Sequence, residues 1–131
     1  MTPVQFLLAW APVLGWAALI FYLSSIPKLD SGLGVWDFVL RKIAHMVEFG
    51  ILTAFIIRAC RRTWSHWTLV TLCWAAGLSS VLYAASDEIH QAFVPGRGPS
   101  VDDVVIDACG VALYLVFYVG YSKRCRSLEK A

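Results

Sequence analysis

Three stretches of this sequence place acidic, basic and histidine side chains beside long apolar runs: residues 41–48, 87–97 and 100–107. In the first, Arg41 and His45 are four positions apart and share a helical face, with Lys42 and Glu48 on its flanks. Crowded carboxylates beside a histidine are typical of sites where one group acts as an acid and another as a base. If the site is catalytic, we expect His45 to be the base, oriented by Glu48 or by Asp87.

The second stretch combines a polar helix end with a stiff turn. Asp87 and Gln91 fall on one helical face, and Glu88 lies beside them. Residues 95–99 follow with the sequence PGRGP, in which proline and glycine favour a tight turn that would hold Arg97 in place. A guanidinium held in this way suits bidentate binding of phosphate or carboxylate, and it would equally neutralise the acids below it.

The third stretch begins a helix and also has a structural interpretation. Ser100 and Asp103 form a capping-box-like pattern, and Asp102 suits the positive end of the helix dipole. Asp103 and Asp107 share a face that would point toward the other two stretches.

The other stretches also have structural interpretations. Asp87 and Glu88 could be solvated surface, and His45 could form a buried hydrogen bond between helices. The whole set could be an ion-pair network that holds the helices together.

Composition indicates which elements position these residues. The chain has 131 residues, of which 59% are hydrophobic and 15% charged, and its mean hydropathy is +0.65. Soluble domains are about 45–50% apolar and about 25% charged, and a domain this small could not bury so much apolar surface. Disordered chains are rich in charge and poor in aromatics. The sequence therefore predicts an integral membrane protein forming a single domain over residues 1–131.

Four segments are long and apolar enough to span a bilayer, which needs about 20 residues per helix: residues 5–23, 43–60, 67–92 and 101–121. We predict an all-α, polytopic four-helix transmembrane bundle. No Lys or Arg precedes Lys28, so the first segment is interpreted as a span and not as a signal peptide. The four cysteines show no paired metal spacing and are interpreted as small packing residues.

The charges are sorted between the two sides of the predicted bundle. The side with both termini carries seven of the eleven basic residues: Arg58, Arg61, Arg62, Lys123, Arg124, Arg126 and Lys130. The positive-inside rule then places both termini in the cytoplasm. Every acidic residue except Glu129 falls on the opposite side. Since Glu48 and Asp107 lie about 6–9 Å below the start of their spans, where ionised groups pair or line a wet cavity, we predict an outward-facing polar pocket.

Signatures of several membrane enzymes are missing from the sequence. It has no His-Glu-x-x-His metalloprotease helix, no Gly-x-Ser-x-Gly nucleophile elbow and no Pro-Ser-Gly-His run typical of lipid phosphatases. Nothing in it indicates binding to nucleic acid.

From Tyr22 to about Gly110 the chain resembles the VanZ-like family of bacterial membrane proteins. The matching pieces are YLSSIP at 22–27, KIAHMVEFG at 42–50, SDEIHQAFVPGR at 86–97, SVDD at 100–103, and Gly110. The third piece is specific, and the order and spacing of all pieces agree with the family. Where the family usually has Tyr and Asn, this chain has Phe49 and Asp107, and a later Gly is replaced near Leu113.

The resemblance implies a four-helix fold, the bacterial cytoplasmic membrane and a cell-envelope context, because the family is named after a member linked to reduced sensitivity to the glycopeptide antibiotic teicoplanin. It implies no particular reaction. Because this chain has Asp107 where the family usually has Asn, the predicted pocket gains a carboxylate and its charge balance is altered.

Our first hypothesis is a pocket that binds the polar or anionic headgroup of a lipid-linked or glycopeptide-type ligand. Phosphate or carboxylate would contact Lys42, His45 and Arg97, and the remaining pocket residues would orient Arg97 or bind hydroxyl and amine groups. These remaining residues are Asp87, Glu88, Gln91, Asp103 and Asp107.

The second hypothesis is an enzyme acting on an envelope lipid or precursor through His45, Glu48 and Asp87. No cofactor is expected, although a divalent cation is a variant of this hypothesis, because oxygen-rich sites favour hard ions. Its ligands would be His45, Asp87, Glu88 and Asp103. A purely structural network is the third hypothesis, and an ion transporter is the least favoured because no acid lies at mid-bilayer. The sequence leaves the oligomeric state open.

Overall fold

The computed structural model describes residues 1–27, 34–98 and 100–128, except for the side chain of Phe38. These residues form four helices and no strand: α1 (Pro3–Ser24), α2 (Val35–Thr63), α3 (Leu69–Gln91) and α4 (Val101–Leu128). All four are long and apolar enough to cross a membrane. The prediction of an all-α bundle with four spans is confirmed, while the orientation of the termini stays a prediction. The predictions made for some positions concern residues outside those that the structure describes, namely Lys28, Asp30, Pro99, Glu129 and Lys130.

Two helices extend far beyond the spans predicted from the sequence. α2 begins at Val35 and not at residue 43, and α4 continues to Leu128, beyond residue 121. A spanning segment must be apolar only within the hydrocarbon layer, which is about 30 Å thick. The helical backbone can continue into the polar flanks, where hydrophobicity no longer marks its boundary.

The beginnings of α1 and α3 are set by local side-chain caps. Thr2 accepts a hydrogen bond from the backbone N–H of Gln5, the Gln5 side chain accepts one from the Thr2 N–H, and Pro3 occupies the first helical position. Thr68 caps α3 in a similar way by accepting from the N–H of Thr71. These caps satisfy backbone donors that would otherwise lack partners at a helix start.

α2 and α3 each pack against all three other helices, and α2 is the central one because its contacts are the more extensive, above all with α4. The interior holds Phe49 and Leu52 of α2, together with Ala76 and Ala84 of α3, all buried. A hydrogen bond of 2.9 Å from the Thr53 hydroxyl to the Ser80 hydroxyl joins α2 to α3 in this interior. Large apolar side chains cover the outside of every helix, as expected for surfaces that contact lipid tails.

α1 is fixed to the bundle by three polar contacts of aromatic side chains. The Trp16 indole donates to the backbone oxygen of Glu48 at 2.9 Å, and the Trp10 indole donates to the Thr63 hydroxyl at 3.0 Å. The Tyr83 hydroxyl donates to the backbone oxygen of Ala17 at 2.7 Å. A buried indole or phenol normally finds such a partner, and here the partners fix the height of α1 relative to α2 and α3.

Candidate functional site

The three polar stretches meet at one end of the bundle, where α1 and α3 end and α2 and α4 begin. We call this region the polar end. Contacts between residues far apart in the sequence hold it together, including Ser24 with Asp87 and Glu88 with Ser100. The opposite end of the bundle, where α2 and α4 end, is called the basic end.

Asp87 joins the ends of α1 and α3. Its Oδ2 accepts hydrogen bonds from the Ser24 hydroxyl at 2.7 Å and from the Gln91 amide nitrogen at 2.8 Å. Its Oδ1 is buried without a hydrogen-bond partner among the described residues. The sequence predicted that Asp87 and Gln91 share a face, but it gave no sign that Ser24 would be their partner.

Glu88 connects the end of α3 to the beginning of α4. Its Oε2 accepts a hydrogen bond of 2.9 Å from the backbone N–H of Ser100, so a carboxylate lies at the positive end of the α4 dipole. Asp87 and Glu88 are only 3% and 4% exposed, which rules out their alternative interpretation as solvated surface. Among the described residues, no hydrogen bond joins the Ser100 hydroxyl to the Asp103 N–H, so the predicted capping box is not formed.

Two further ion pairs line the beginning of α2. Arg41 contacts Asp37 one turn earlier, with an N···O distance of 2.5 Å. Lys42 forms an ion pair with Asp103 of α4, which ties these two helices together. Asp37 was missed in the sequence, although its spacing of four from Arg41 is the usual signal for such a pair.

His45 is paired with Asp107 in the interior. Its Nδ1 lies 3.3 Å from Oδ1 of Asp107, and the Asp107 side chain is completely buried. Neither carboxylate oxygen has a hydrogen-bond partner in the described part of the chain, so the two side chains lie within ion-pair distance without forming a hydrogen bond. The structure therefore places Asp107 beside His45, where the sequence predicted Glu48 or Asp87 as the orienting acid.

Arg97 is held by the turn after α3. The Arg97 N–H donates to the backbone oxygen of Val94, and Gly96 has a φ of 76°, a conformation that favours glycine. Across the described ranges Arg97 forms no ion pair, and its buried Nε has no hydrogen-bond partner. Burial lowers the pKa of the Arg97 guanidinium below its usual value, and nearby Arg41 lowers it further. A guanidinium remains charged even so.

Two adjoining cavities open at the polar end, with volumes of about 500 and about 300 Å³, which fall in the usual range for ligand pockets. Asp37, Arg41, His45 and Arg97 line both of them. The predicted site residues other than His45 and Arg97 fall into three groups. Lys42, Gln91 and Asp103 line the larger cavity, Glu48 lines the smaller one, and Asp87, Glu88 and Asp107 line neither.

The four candidate ligands for a divalent cation are His45, Asp87, Glu88 and Asp103. No group of three or more His, Cys, Asp or Glu side chains is placed to hold a metal ion within residues 1–27, 34–98 and 100–128. Three of the four candidate ligands are engaged elsewhere: Asp103 with Lys42, Asp87 with Ser24, and Glu88 with the backbone of α4.

Comparison with known proteins gives one match. The family model described as VanZ/LLP1 matches residues 2–122. No curated protein and no solved structure matches the chain.

Proposed function

This chain belongs to the VanZ/LLP1 family, and we propose that it binds the anionic headgroup of a cell-envelope ligand in the cavities of its polar end. The ligand is a lipid-linked precursor or a glycopeptide-type molecule, and the protein affects susceptibility to glycopeptide antibiotics such as teicoplanin. The chain lies in the bacterial cytoplasmic membrane with both termini in the cytoplasm, so the polar end faces outward.

The state of Arg97 is the observation that carries this proposal. The other two cations of the cavity walls have carboxylate partners, since Arg41 pairs with Asp37 and Lys42 pairs with Asp103. Arg97 lines both cavities and has no such partner among the described residues. A phosphate or carboxylate would supply the charge-assisted hydrogen bonds that this guanidinium lacks.

Glu48 supplies a complementary feature of the smaller cavity. It lines the same cavity as Arg97, and its side chain forms no ion pair within 4 Å in the described residues. A headgroup with a hydroxyl or amine near its anionic group would contact Glu48 while the anion contacts Arg97. The ligand is therefore expected to carry both kinds of group.

Substitution of Arg97 tests the binding site directly. We expect Arg97→Gln to weaken binding of a polyprenyl phosphate about 10- to 100-fold, because a hydrogen bond to a charged group contributes about 1.5–3 kcal/mol. Arg97→Lys should keep the charge and lose the bidentate geometry, giving an intermediate affinity. Binding to the detergent-solubilised protein would be measured by titration calorimetry, with teicoplanin as a second probe.

Arg62→Gln serves as the matched control, because Arg62 is exposed at the basic end and its loss should leave the affinity unchanged. Thermal unfolding of each purified variant shows whether the fold is retained. A folded Arg97→Gln protein that binds both probes as tightly as the wild type would contradict the proposal.

Labelling at Gly98 tests the orientation. A Cβ at this position would meet no atom within 4 Å, so Gly98→Cys should fold normally. We expect a membrane-impermeant maleimide to label this variant in spheroplasts, above the background of the native cysteines. Labelling of Gly98→Cys in inverted vesicles alone would place the polar end in the cytoplasm and reverse the proposed topology.

A catalytic role is the second candidate function, and the His45–Asp107 pair favours it. The imidazole lines both cavities while its Nδ1 faces a buried carboxylate, an arrangement that can orient a general base. If the protein carries out acid–base chemistry on an envelope lipid, the rate at which it turns over that lipid should depend on His45. Binding alone places no such requirement on the imidazole.

A further inference from the structure

A long apolar groove runs between α3 and α4 on the membrane-facing side of the bundle. Its volume is about 630 Å³, and it belongs to neither cavity of the polar end. Trp74 and Leu78 border it and are 74% and 60% exposed, so no part of the described chain covers it. A groove of this kind in a membrane must be filled by lipid or by another apolar segment.

Small residues give the groove its depth. Gly77 of α3 and Ala108 and Ala112 of α4 form part of its lining, where larger side chains would fill the space. A Cβ added to Gly77 would lie 3.1 Å from Cδ1 of Leu115, so the two walls are already close at that point. α3 and α4 are therefore in close contact at Gly77 and Leu115.

The length of the groove corresponds to one leaflet. The apolar part of its α4 wall runs from Ala108 to Val119, which is about 16 Å at 1.5 Å per residue, and Lys123 lines the groove one turn further on. This apolar length is about half of the ~30 Å hydrocarbon layer. A single acyl chain entering from one side of the membrane would fill the groove.

Cations stand where the groove reaches the basic end. Lys123 lines the groove itself, and it also lines an adjoining cavity of similar volume together with Arg126 and Thr68. Lys123 and Arg126 are exposed and form no ion pair with another described residue. A pair of cations at the mouth of an apolar groove complements an anionic headgroup attached to an acyl chain.

We infer that this groove binds one phospholipid with an anionic headgroup, from the leaflet at the basic end of the bundle. Its acyl chain lies over Gly77 and Ala112, and its phosphate contacts Lys123 and Arg126. A second, parallel copy of this chain is a poorer occupant, because it would bring its own Lys123 and Arg126 to the same depth and the like charges would repel. This lipid site is separate from the polar end and does not depend on the function proposed there.

Native mass spectrometry of the full chain in detergent, with phosphatidylglycerol and phosphatidylcholine added separately, tests the inference. We expect the wild type to retain phosphatidylglycerol at least tenfold more strongly than phosphatidylcholine. The double variant Lys123→Gln/Arg126→Gln should lose this preference. Ala112→Leu should lower retention of phosphatidylglycerol at least tenfold by filling the groove, without harm to folding, because Ala112 is exposed.

Two control variants on the same helix separate these effects from general ones. Arg124→Gln removes an exposed cation next to Lys123, and Gly120→Leu adds an exposed apolar side chain where no atom lies within 4 Å. Both should retain phosphatidylglycerol like the wild type. Equal retention of the two lipids by the wild type would overturn the inference, as would full retention by Lys123→Gln/Arg126→Gln. A dimer that dissociates in Ala112→Leu would show that a second copy occupies the groove, and would overturn it too.

Discussion

Replacing Gly110 by alanine should destabilise the bundle by about 3 kcal/mol, at the upper end of the usual cost of overpacking. A Cβ at this position would overlap the backbone oxygen of Met46 and lie 2.8 Å from its carbonyl carbon. These are backbone atoms of α2, which cannot rotate away as a flexible side chain would. A single methyl group must therefore push α2 and α4 apart, and the free energy of unfolding in SDS titrations should fall accordingly.

The same substitution should damage the candidate site. Gly110 lies one helical turn from Asp107, and Met46 is the neighbour of His45 in the chain, so separating the two helices lengthens the contact between Asp107 and His45. Binding of polyprenyl phosphate should weaken in parallel with stability. The close crossing of α2 and α4 is therefore part of the machinery that shapes the polar end.

Gly120→Ala is the matched control, because Gly120 lies on the same helix and a Cβ there would meet nothing within 4 Å. Its stability should equal that of the wild type or exceed it slightly, since alanine has the higher helix propensity. Equal unfolding free energies for Gly110→Ala and Gly120→Ala would show that the helices cross less closely than the structure indicates.

Much of this fold could be predicted from the sequence, because a bilayer imposes strong constraints on composition. Four apolar segments of sufficient length allow little besides a helical bundle. The sorting of charges predicted that Arg41–Glu48, Asp87–Arg97 and Ser100–Asp107 would converge at one end, and the structure brings them together. Hydropathy did not give the true helix ends, since Val35 and Leu128 lie in polar flanks where apolar character is not required.

The pairing of side chains within the polar end could not be predicted. Which acid faces His45 depends on the rotation of α2 and α4 about their axes and on their relative depth. Helical spacing places Asp87, Glu48 and Asp107 each near the polar face of its own helix, so spacing alone does not choose between them. Close packing at Gly110 sets that rotation, and it selects Asp107. Ser24 illustrates the same difficulty, because its local sequence does not show whether it is exposed or is buried as the partner of Asp87.

The buried His45–Asp107 pair leads to the second large effect. We expect His45→Leu to lower the free energy of unfolding by about 3–5 kcal/mol, because removing one partner leaves a buried carboxylate uncompensated. Asp107 is completely buried, neither of its oxygens accepts a hydrogen bond from a described residue, and its ion-pair partner is His45. Asp107→Leu should also destabilise the bundle by removing the carboxylate beside the imidazole, though by less, since His45 lines the open cavities.

The double variant His45→Leu/Asp107→Leu should recover most of the stability lost by His45→Leu, because two apolar side chains can replace a buried pair at little cost. A double-mutant cycle of unfolding free energies measures this coupling directly. Simple addition of the two single effects would show that the residues do not act as a pair. Gly50→Ala, whose nearest new contact is at 3.4 Å, provides a control substitution on α2 that should leave stability nearly unchanged.

Recovered stability in the double variant also separates the hypotheses for the polar end. A folded protein without the imidazole that still binds polyprenyl phosphate would assign His45 a structural role and leave Arg97 as the anion-binding group. Loss of binding in the same folded protein would place His45 in the binding site. Retained binding with loss of lipid turnover would favour catalysis. These outcomes differ because the double variant removes the chemistry of the pair while leaving no uncompensated buried group to destabilise the fold.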